Sequence, residues 1–284
     1  MKVAFATWSG KPGGSEDDHT AGRLLDADFV AWDDEAVDWH AYDRVVLRSV
    51  RDYYRRLDAF LDWCQAVGPD RLRNSPDLVA FNADKRYLAA LSAPSVPTTF
   101  VAPGDPPPAL DGEVVVKPNV SAAARDTGRF RTTSHSAALA LIHRIHDSGR
   151  VALVQPYLPD IDRRGETAIV FVGGEISHVL RKRAILREDG VAPIFSDALG
   201  IAKVLREKDV VVAGTANAAE LALARQIHSE VSERCGRPLF ARIDLVPGLD
   251  GAPVLLELEL IEPTLYFATS DGASERMAKA VLDS

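Results

Sequence analysis

Cysteine is nearly absent from this chain: Cys64 and Cys235 stand far apart, in no CxxC pair and beside no cluster of histidines. A disulfide framework and a structural zinc site are therefore not implied, and each thiol reads as a small buried apolar side chain. No apolar run approaches the roughly 20 residues that span a bilayer. Met1-Lys2 passes directly into VAFAT, without the apolar core and cleavage site of a signal peptide. The cytoplasm is the expected compartment. Positive charge is in deficit, with 33 Lys and Arg against 41 Asp and Glu and a formal net charge of -8. This argues against nucleic acid or an anionic membrane as the main partner and leaves room for a local anion pocket. The seven histidines form no HExxH or triad-like pattern, so neither a zinc hydrolase nor a histidine-activated nucleophile is indicated. GKPGG, after the first strand-like run, lacks the closing GK[ST] of a phosphate loop and is set aside as a nucleotide site.

What is present describes an ordinary globular protein of 284 residues, 46% hydrophobic and 26% charged, with enough chain for one or two domains. Lys2 to Trp8, Asp28 to Trp32 and Arg44 to Leu47 read as short strands. Between and after them, RDYYRRLDAFLDWCQAV repeats Tyr53, Leu57, Phe60 and Cys64 at helical spacing. Such alternation indicates an α/β unit with a mainly parallel sheet. Arg48 and Ser49, at a strand's carboxyl end, would line the ligand crevice of such a sheet or simply stand at its rim. Asn82 is placed to cap the next helix, with Lys85 in the following turn. SAPSVPTTFVAPGDPPPALDG, dense in proline, reads as a linker or irregular crossing with domain boundaries on either side.

Beyond it, EVVVK is a strand ending at Lys117, and NVSAAARDTGRF supplies small residues, Ser121 among them, that let backbone approach a phosphate. Ser136 to His146 reads as a helix and Val151 to Val154 as a strand. TAIVFVGGEISHVLRKRA is a hairpin turning at Gly173-Gly174, a register that sets Glu166 opposite Arg181 and Arg164 opposite Arg183. Lys182 and Arg183 then leave opposite faces, and His178 is a hairpin residue rather than a base. Leu186 to Lys208 shows no clear period. Asn217 with Glu220 forms a capping box before the apolar stripe Leu223, Ile227, Val231, and Gly236 to Pro238 closes that helix.

Phe240 to Phe267 carries the densest chemistry. The period of two puts Phe240, Arg242 and Asp244 on one face of the first strand, and Leu255, Glu257, Glu259 and Ile261 on one face of the second. With Asp250-Gly251 at the tip of a hairpin, Asp244 faces Glu257 and Arg242 faces Glu259. Three carboxylates crowded together need cations, and oxygen-only ligands suit Mg²⁺ or Mn²⁺. The same spacing equally describes a solvated acidic strand face.

Taken together, NADKRYL, VVVKPN, VQPYLPD, VGGEISHVLRKRA, RIDLV and LLELELIEPT resemble the ATP-grasp carboxylate-amine ligases, of the type of glutathione synthetase and the ribosomal-protein glutamate ligases. The WDD, VVLRS, DKRYL, SHVLRKR and ELELIEP runs are most similar to the D-cycloserine-synthetase-like subgroup. The resemblance implies an α/β ATP-grasp fold, with an N-terminal parallel-sheet domain (1–83), a small lobe (84–155) and a metal-bearing C-terminal lobe (156–284) clasping the nucleotide. It gives Lys85 and Lys117 phosphate and adenine-edge contacts, with Ser121 beside them. Gln155, Tyr157 and Leu158 fall on the adenine hinge and Asp160 on the ribose. Lys182, Arg183 and Arg242 take the reacting groups, while Asp244, Glu257 and Glu259 hold Mg²⁺. Glu259 stands where the wider family usually has asparagine, and Arg51 where it commonly has an aromatic.

The implied reaction is ATP-dependent amide formation between a small-molecule carboxylate and an amine through an acyl phosphate. Alternatives are an intramolecular cyclising ligase, a kinase that stops at the phosphorylated product, and a non-catalytic ATP-binding module. Substrate identity and oligomeric state are not legible.

Overall fold

The computed structural model describes residues 1–186, the backbone of 190–191, and residues 209–284. Near the amino terminus β1 (Val3–Thr7), β2 (Asp28–Ala31), β3 (Arg44–Leu47) and β4 (Leu72–Arg73) form a parallel sheet in the order β2-β1-β3-β4, with α1 (His19–Leu24) and α2 (Leu57–Val67) between strands. Every residue of β1 is buried, as the unbroken apolar run VAFAT requires of a parallel strand covered on both faces. The helix expected over residues 51–67 is interrupted. Tyr53–Arg55 is a single tight turn, and the chain breaks at Arg56, whose guanidinium pairs with Asp33 at 2.9 Å and with Asp52. That break turns Arg51 and Tyr53 inward.

Next come α3 (Pro76–Ala83) and α4 (Tyr87–Ala90). Ser75, not Asn82, opens α3, its hydroxyl accepting from Leu78 N at 3.4 Å. Asn82 lies inside that helix with another task, described below. A second sheet follows from β5 (Thr99–Val101), β6 (Val114–Pro118), β7 (Gly128–Phe130) and β8 (Ala152–Pro156), backed by α5 (His135–Asp147). The proline-rich stretch is thus not all linker, since β5 pairs with β8 at its edge. Then α6 (Asp160–Arg164), β9 (Glu166–Val172), β10 (Glu175–Lys182), β11 (Gly190–Val191), β12 (Val211–Ala213), α7 (Ala218–Cys235), β13 (Phe240–Pro247), β14 (Pro253–Glu259) and α8 (Ala273–Asp283) complete the described chain. β11 joins the second sheet, ordered β11-β7-β6-β8-β5, and the others make a third, ordered β12-β10-β9-β13-β14.

The third sheet is covered on both faces. Ile169, Phe171, Ala241 and Ile243 pack beneath the α7 stripe of Leu223, Ile227 and Val231, and the full Asn217/Glu220 capping box starts that helix. Ala168, Val170, Val172 and Phe240 face the core shared with the parallel sheet and α8. Arg242 and Asp244 interrupt this second face with charge, and there the layers part.

In the β9-β10 hairpin the expected register is off by one. An irregularity between Ile176 and His178 leaves Ser177 unpaired, so Lys182 rather than Arg181 faces Glu166, and Arg181 faces Thr167. His178 is buried, bonded through Nε2 to the Leu265 carbonyl at 2.7 Å and through Nδ1 to Ser177 Oγ at 2.9 Å. Burial holds it below its ordinary value of 6.5, with Leu265 opposing and the Arg276 charge adding. The folded protein therefore binds this proton less readily than the unfolded chain, and its contribution to stability, complete above pH 6.5, is lost as pH falls through the lower folded value. His178→Gln, which keeps a donor for Leu265, should show a smaller loss of urea midpoint between pH 7.5 and 5.5 than wild type. Equal losses would assign the acid sensitivity elsewhere.

Candidate active site

The β13-β14 register brings Arg242 opposite Glu259 and Asp244 opposite Glu257, as the hairpin reading expects, by a different route. The connection is a wider loop closed by Gly248 and Ala252, and the pairing shifts between Asp244 and Leu245, leaving Leu256 unpaired. Two departures cancel at the charged end. The shift also exchanges two leucines relative to strict alternation: Leu255 packs in the core beneath α7, while Leu256 lines the cavity beside Glu257.

Being an edge strand, β14 has a row of backbone groups without a partner strand. The backbone of Pro94 and Val96 takes those of Leu255, and side chains take those nearer the glutamates. Leu258 N donates to Tyr87 Oη at 2.9 Å, and Tyr87 Oη donates to Leu258 O at 3.0 Å. Asn82 Nδ2 donates to Leu258 O at 2.8 Å and its Oδ1 accepts from Leu260 N at 2.8 Å. Asn74 Nδ2 reaches Leu260 O at 2.7 Å. Glu257 and Glu259 therefore project from a backbone fixed on both edges.

The carboxylates have distinct surroundings. Asp244, with a side-chain exposure of 1%, is enclosed by Lys182 at 2.7 Å and Arg242 at 2.9 Å. Burial would raise its carboxyl, yet Arg242 and Lys182 hold it well below the usual carboxylate range. Lys182 also meets Glu166 at 2.7 Å, and these two anions outweigh the effect of burial to keep it charged. Arg242 bridges to Glu259. The side chains of Glu257 and Glu259 are 30% and 29% exposed and face a cavity of about 230 Å³.

Two lysines line the same cavity. Lys85 Nζ lies 3.3 Å from Glu257 and donates to Ser121 O and Oγ at 3.2 and 3.3 Å. Its backbone N donates to Asn119 O at 2.9 Å, tying it to the end of β6. Lys117 is buried in the wall, and among the described residues no side chain pairs with its ammonium. Burial lowers its pKa; the Glu257 charge opposes this and the Lys85 charge adds to it. The intervening loop includes Ala123, Ala124 and Asp126, all at positive φ, and its Ser121 to Ala124 and Thr127 line the same cavity. The other end is apolar, formed by Val96, Val115, Leu158 and Leu256 with Gln155 and Tyr157 at its rim.

Glu257 and Glu259 fit a divalent cation. They are hard oxygen donors two residues apart on one strand face. Burial raises the Glu259 carboxyl to about 7; Arg242 opposes, but Glu257 and Asp244 add to the rise. A cation would relieve that excess. The described residues hold no metal-sized group of three His, Cys, Asp or Glu side chains, so the remaining donors would come from phosphate and water, the usual habit of Mg²⁺. Asp244 does not fit as a direct ligand in this arrangement, because its oxygens are bound by Lys182 and Arg242.

Some expected residues lie elsewhere. Arg183 is exposed, borders an outer groove and does not line the cavity; the one-residue register shift sends Lys182 inward instead. Asp160 pairs with Arg163 at the start of α6, outside the lining. Tyr157 does line the cavity, but it turns its hydroxyl to Asp162 at 2.6 Å, and its backbone N is already bonded to Glu113 O at 2.7 Å. Arg48 and Ser49 belong to the buried framework: Arg48 pairs with Asp18 at 2.7 Å, and Ser49 Oγ accepts from Ser15 N at 3.0 Å. Alternation alone did not place Glu262, Thr264 and Tyr266 in the cavity, because the chain bends after β14 and the inward positions change from odd to even. Leu186 lies at the cavity, and most of the unpatterned stretch beyond it falls outside the described residues.

With this geometry in view, known proteins give a consistent comparison. A family model for the N-terminal domain of D-cycloserine synthetase DcsG matches residues 3–74. The cycloserine biosynthesis protein DcsG of Streptomyces lavendulae is 34% identical over 273 residues, covering 91% of this chain and 89% of that protein. This chain belongs to the DcsG-like ATP-grasp ligases. The crystal structure of D-cycloserine synthetase DcsG is similar with a TM-score of 0.86 at 30% identity, covering 100% of this chain and 99% of that one. D-alanine-D-alanine ligase from Bacillus anthracis, solved with ATP, has a TM-score of 0.61 at 10% identity, with 100% of this chain and 96% of that one covered. A RimK-domain ATP-grasp protein from Sphaerobacter thermophilus has a TM-score of 0.61 at 17% identity, with 99% and 100% covered. The last two show the shared fold alone. As a DcsG-like protein, the chain is an ATP-dependent ligase that forms a carbon-nitrogen bond. None of its described helices is long and apolar enough to cross a membrane.

The enclosure of Asp244 yields a stability test. Asp244→Ala should leave Lys182 and Arg242 buried without their shared anion and lower unfolding free energy by about 3–5 kcal/mol in urea titration. A loss below about 1 kcal/mol would show that Asp244 is not their necessary counter-charge.

Proposed function

We propose that the enzyme uses ATP and Mg²⁺ to activate the carboxylate of a small amino-acid-like substrate, and that an amino group of the same molecule then closes a ring. The observation that carries the nucleotide part is Lys117, a buried ammonium in the cavity wall without an ion-pair partner among the described residues, set across from Glu257 and Glu259. A buried cation left in this way is matched by an incoming polyanion. Lys85, next to Ser121, offers a second phosphate contact, and the apolar end near Leu158 suits the base.

In the first step a carboxylate oxygen attacks the γ-phosphorus, the bond to the β-phosphate oxygen breaks, and ADP leaves. The amino nitrogen then attacks the acyl carbon, phosphate departs, and the nitrogen gives up a proton. Phosphoryl transfer asks the protein mainly for position and charge. Lys117 and Lys85 would hold the phosphates, and Lys182 and Arg242, fixed by Asp244, would present positive charge at the reacting end. Mg²⁺ held by Glu257 and Glu259 would neutralise phosphate charge. The intramolecular form is favoured over joining two molecules because the relative at 34% identity takes part in cycloserine biosynthesis, and cycloserine is a ring closed through one acyl-nitrogen bond.

An ADP-release screen across amino acids bearing a second, nucleophilic nitrogen should find the substrate, and the product should have its mass less one water. A product joining two molecules would replace the cyclising form with intermolecular ligation, and no ADP release with any acid would favour a binding module. Glu257→Gln should keep the fold by circular dichroism and lower ADP release by about two orders of magnitude or more. Near wild-type turnover would remove Glu257 from the metal site. Hydroxylamine added during turnover should trap the activated acid as a hydroxamate.

A further inference from the structure

The segment Glu262 to Phe267 alternates strictly. Glu262, Thr264 and Tyr266 line the cavity, while Pro263, Leu265 and Phe267 are buried behind them. Its backbone is secured by side chains from distant parts of the chain. Arg48 Nη2 donates to Pro263 O at 3.1 Å, Arg242 Nη1 to Thr264 O at 2.9 Å, and His178 Nε2 to Leu265 O at 2.7 Å. Asp17 takes three consecutive amides, accepting from Leu265 N at 3.1 Å, Tyr266 N at 2.9 Å and Phe267 N at 2.7 Å. Its neighbour Asp18 holds Arg48.

Tyr266 adopts φ 53° and ψ 48°. A left-handed backbone is sterically unfavourable for a non-glycine residue and persists only where the surroundings over-determine it. Here Asp17 supplies that determination. The ring it fixes shares the cavity with Arg242, Lys182 and Glu259, and with Arg51 and Tyr53 from the parallel-sheet region. Arg51 in turn meets Glu262 at 3.4 Å and Thr264 Oγ1 at 3.2 Å.

We propose that Asp17 is a positioning residue: it sets Thr264 and Tyr266 as the wall against which the acid substrate is selected, leaving the nucleotide end untouched. This rests on the ligase reading above. Asp17 does not line the cavity, and its whole effect passes through the segment it binds.

The test uses the full chain and two variants. In Asp17→Asn, amides 265–267 should exchange hydrogen about tenfold faster or more, while β13 and β14 remain protected. With ATP and the acid found in the screen, KM for the acid should rise by about tenfold or more and KM for ATP should stay within about twofold. Tyr266→Gly frees the backbone from its steric penalty; it should keep the thermal unfolding midpoint of wild type and show the same rise in KM for the acid. Unchanged exchange in Asp17→Asn, an equal rise in both KM values, or full activity in Tyr266→Gly would overturn the assignment. If no acid supports ADP release, the ligase reading falls, and the exchange result alone then decides whether Asp17 holds the segment.

Discussion

Asp244 lies between Lys182 and Arg242, and the charge of the whole cavity depends on this contact. Alone, each of the two cations would be expensive to bury; with a shared anion they can both stand in the cavity wall without losing their protons. Arg242 extends the network to Glu259 and to the Thr264 carbonyl, and Lys182 extends it to Glu166. One carboxylate is thereby spent on organising cations, and two, Glu257 and Glu259, are left facing the cavity.

Position is secured from outside this network. β14 is an edge strand, and an unpaired edge would let its carboxylates drift. Asn82 and Tyr87, from the helical segment that also carries Lys85, and Asn74, just after β4, bond its backbone as a further strand would. The grip on the strand that carries Glu257 and Glu259 and the placement of Lys85 thus share one support. Sheet, helix and parallel-sheet region each contribute to a cavity that none encloses alone.

Much of this was legible in the sequence. Alternation in FARIDLV follows from the pleat, while the pairs of Arg242 with Glu259 and Asp244 with Glu257 match expectation because a wider loop and a one-residue shift cancel. The Asn217/Glu220 capping box and the α7 stripe also follow from local pattern. What was not legible depends on single-residue irregularities. Of Lys182 and Arg183, both expected at the site, the unpaired Ser177 brings Lys182 to the cavity and leaves Arg183 outside, and the unpaired Leu256 exchanges two leucine faces. A pattern of period two reverses with every such step, and nothing in the local composition marks where it happens. Asn82 shows another limit: a helix-capping residue by type, it is used instead by a strand 176 positions away.

Glu257 and Glu259, with Asp244 reserved for the lysine and arginine behind them, are proposed as the metal face of an ATP site. Crystals grown with Mn²⁺ and a non-hydrolysable ATP analogue test this assignment directly through the anomalous signal of manganese. A peak is expected at oxygen-ligand distance, about 2.0–2.1 Å, from both Glu257 and Glu259, with Lys117 against the phosphates. Nucleotide bound with manganese absent from these two glutamates would contradict it.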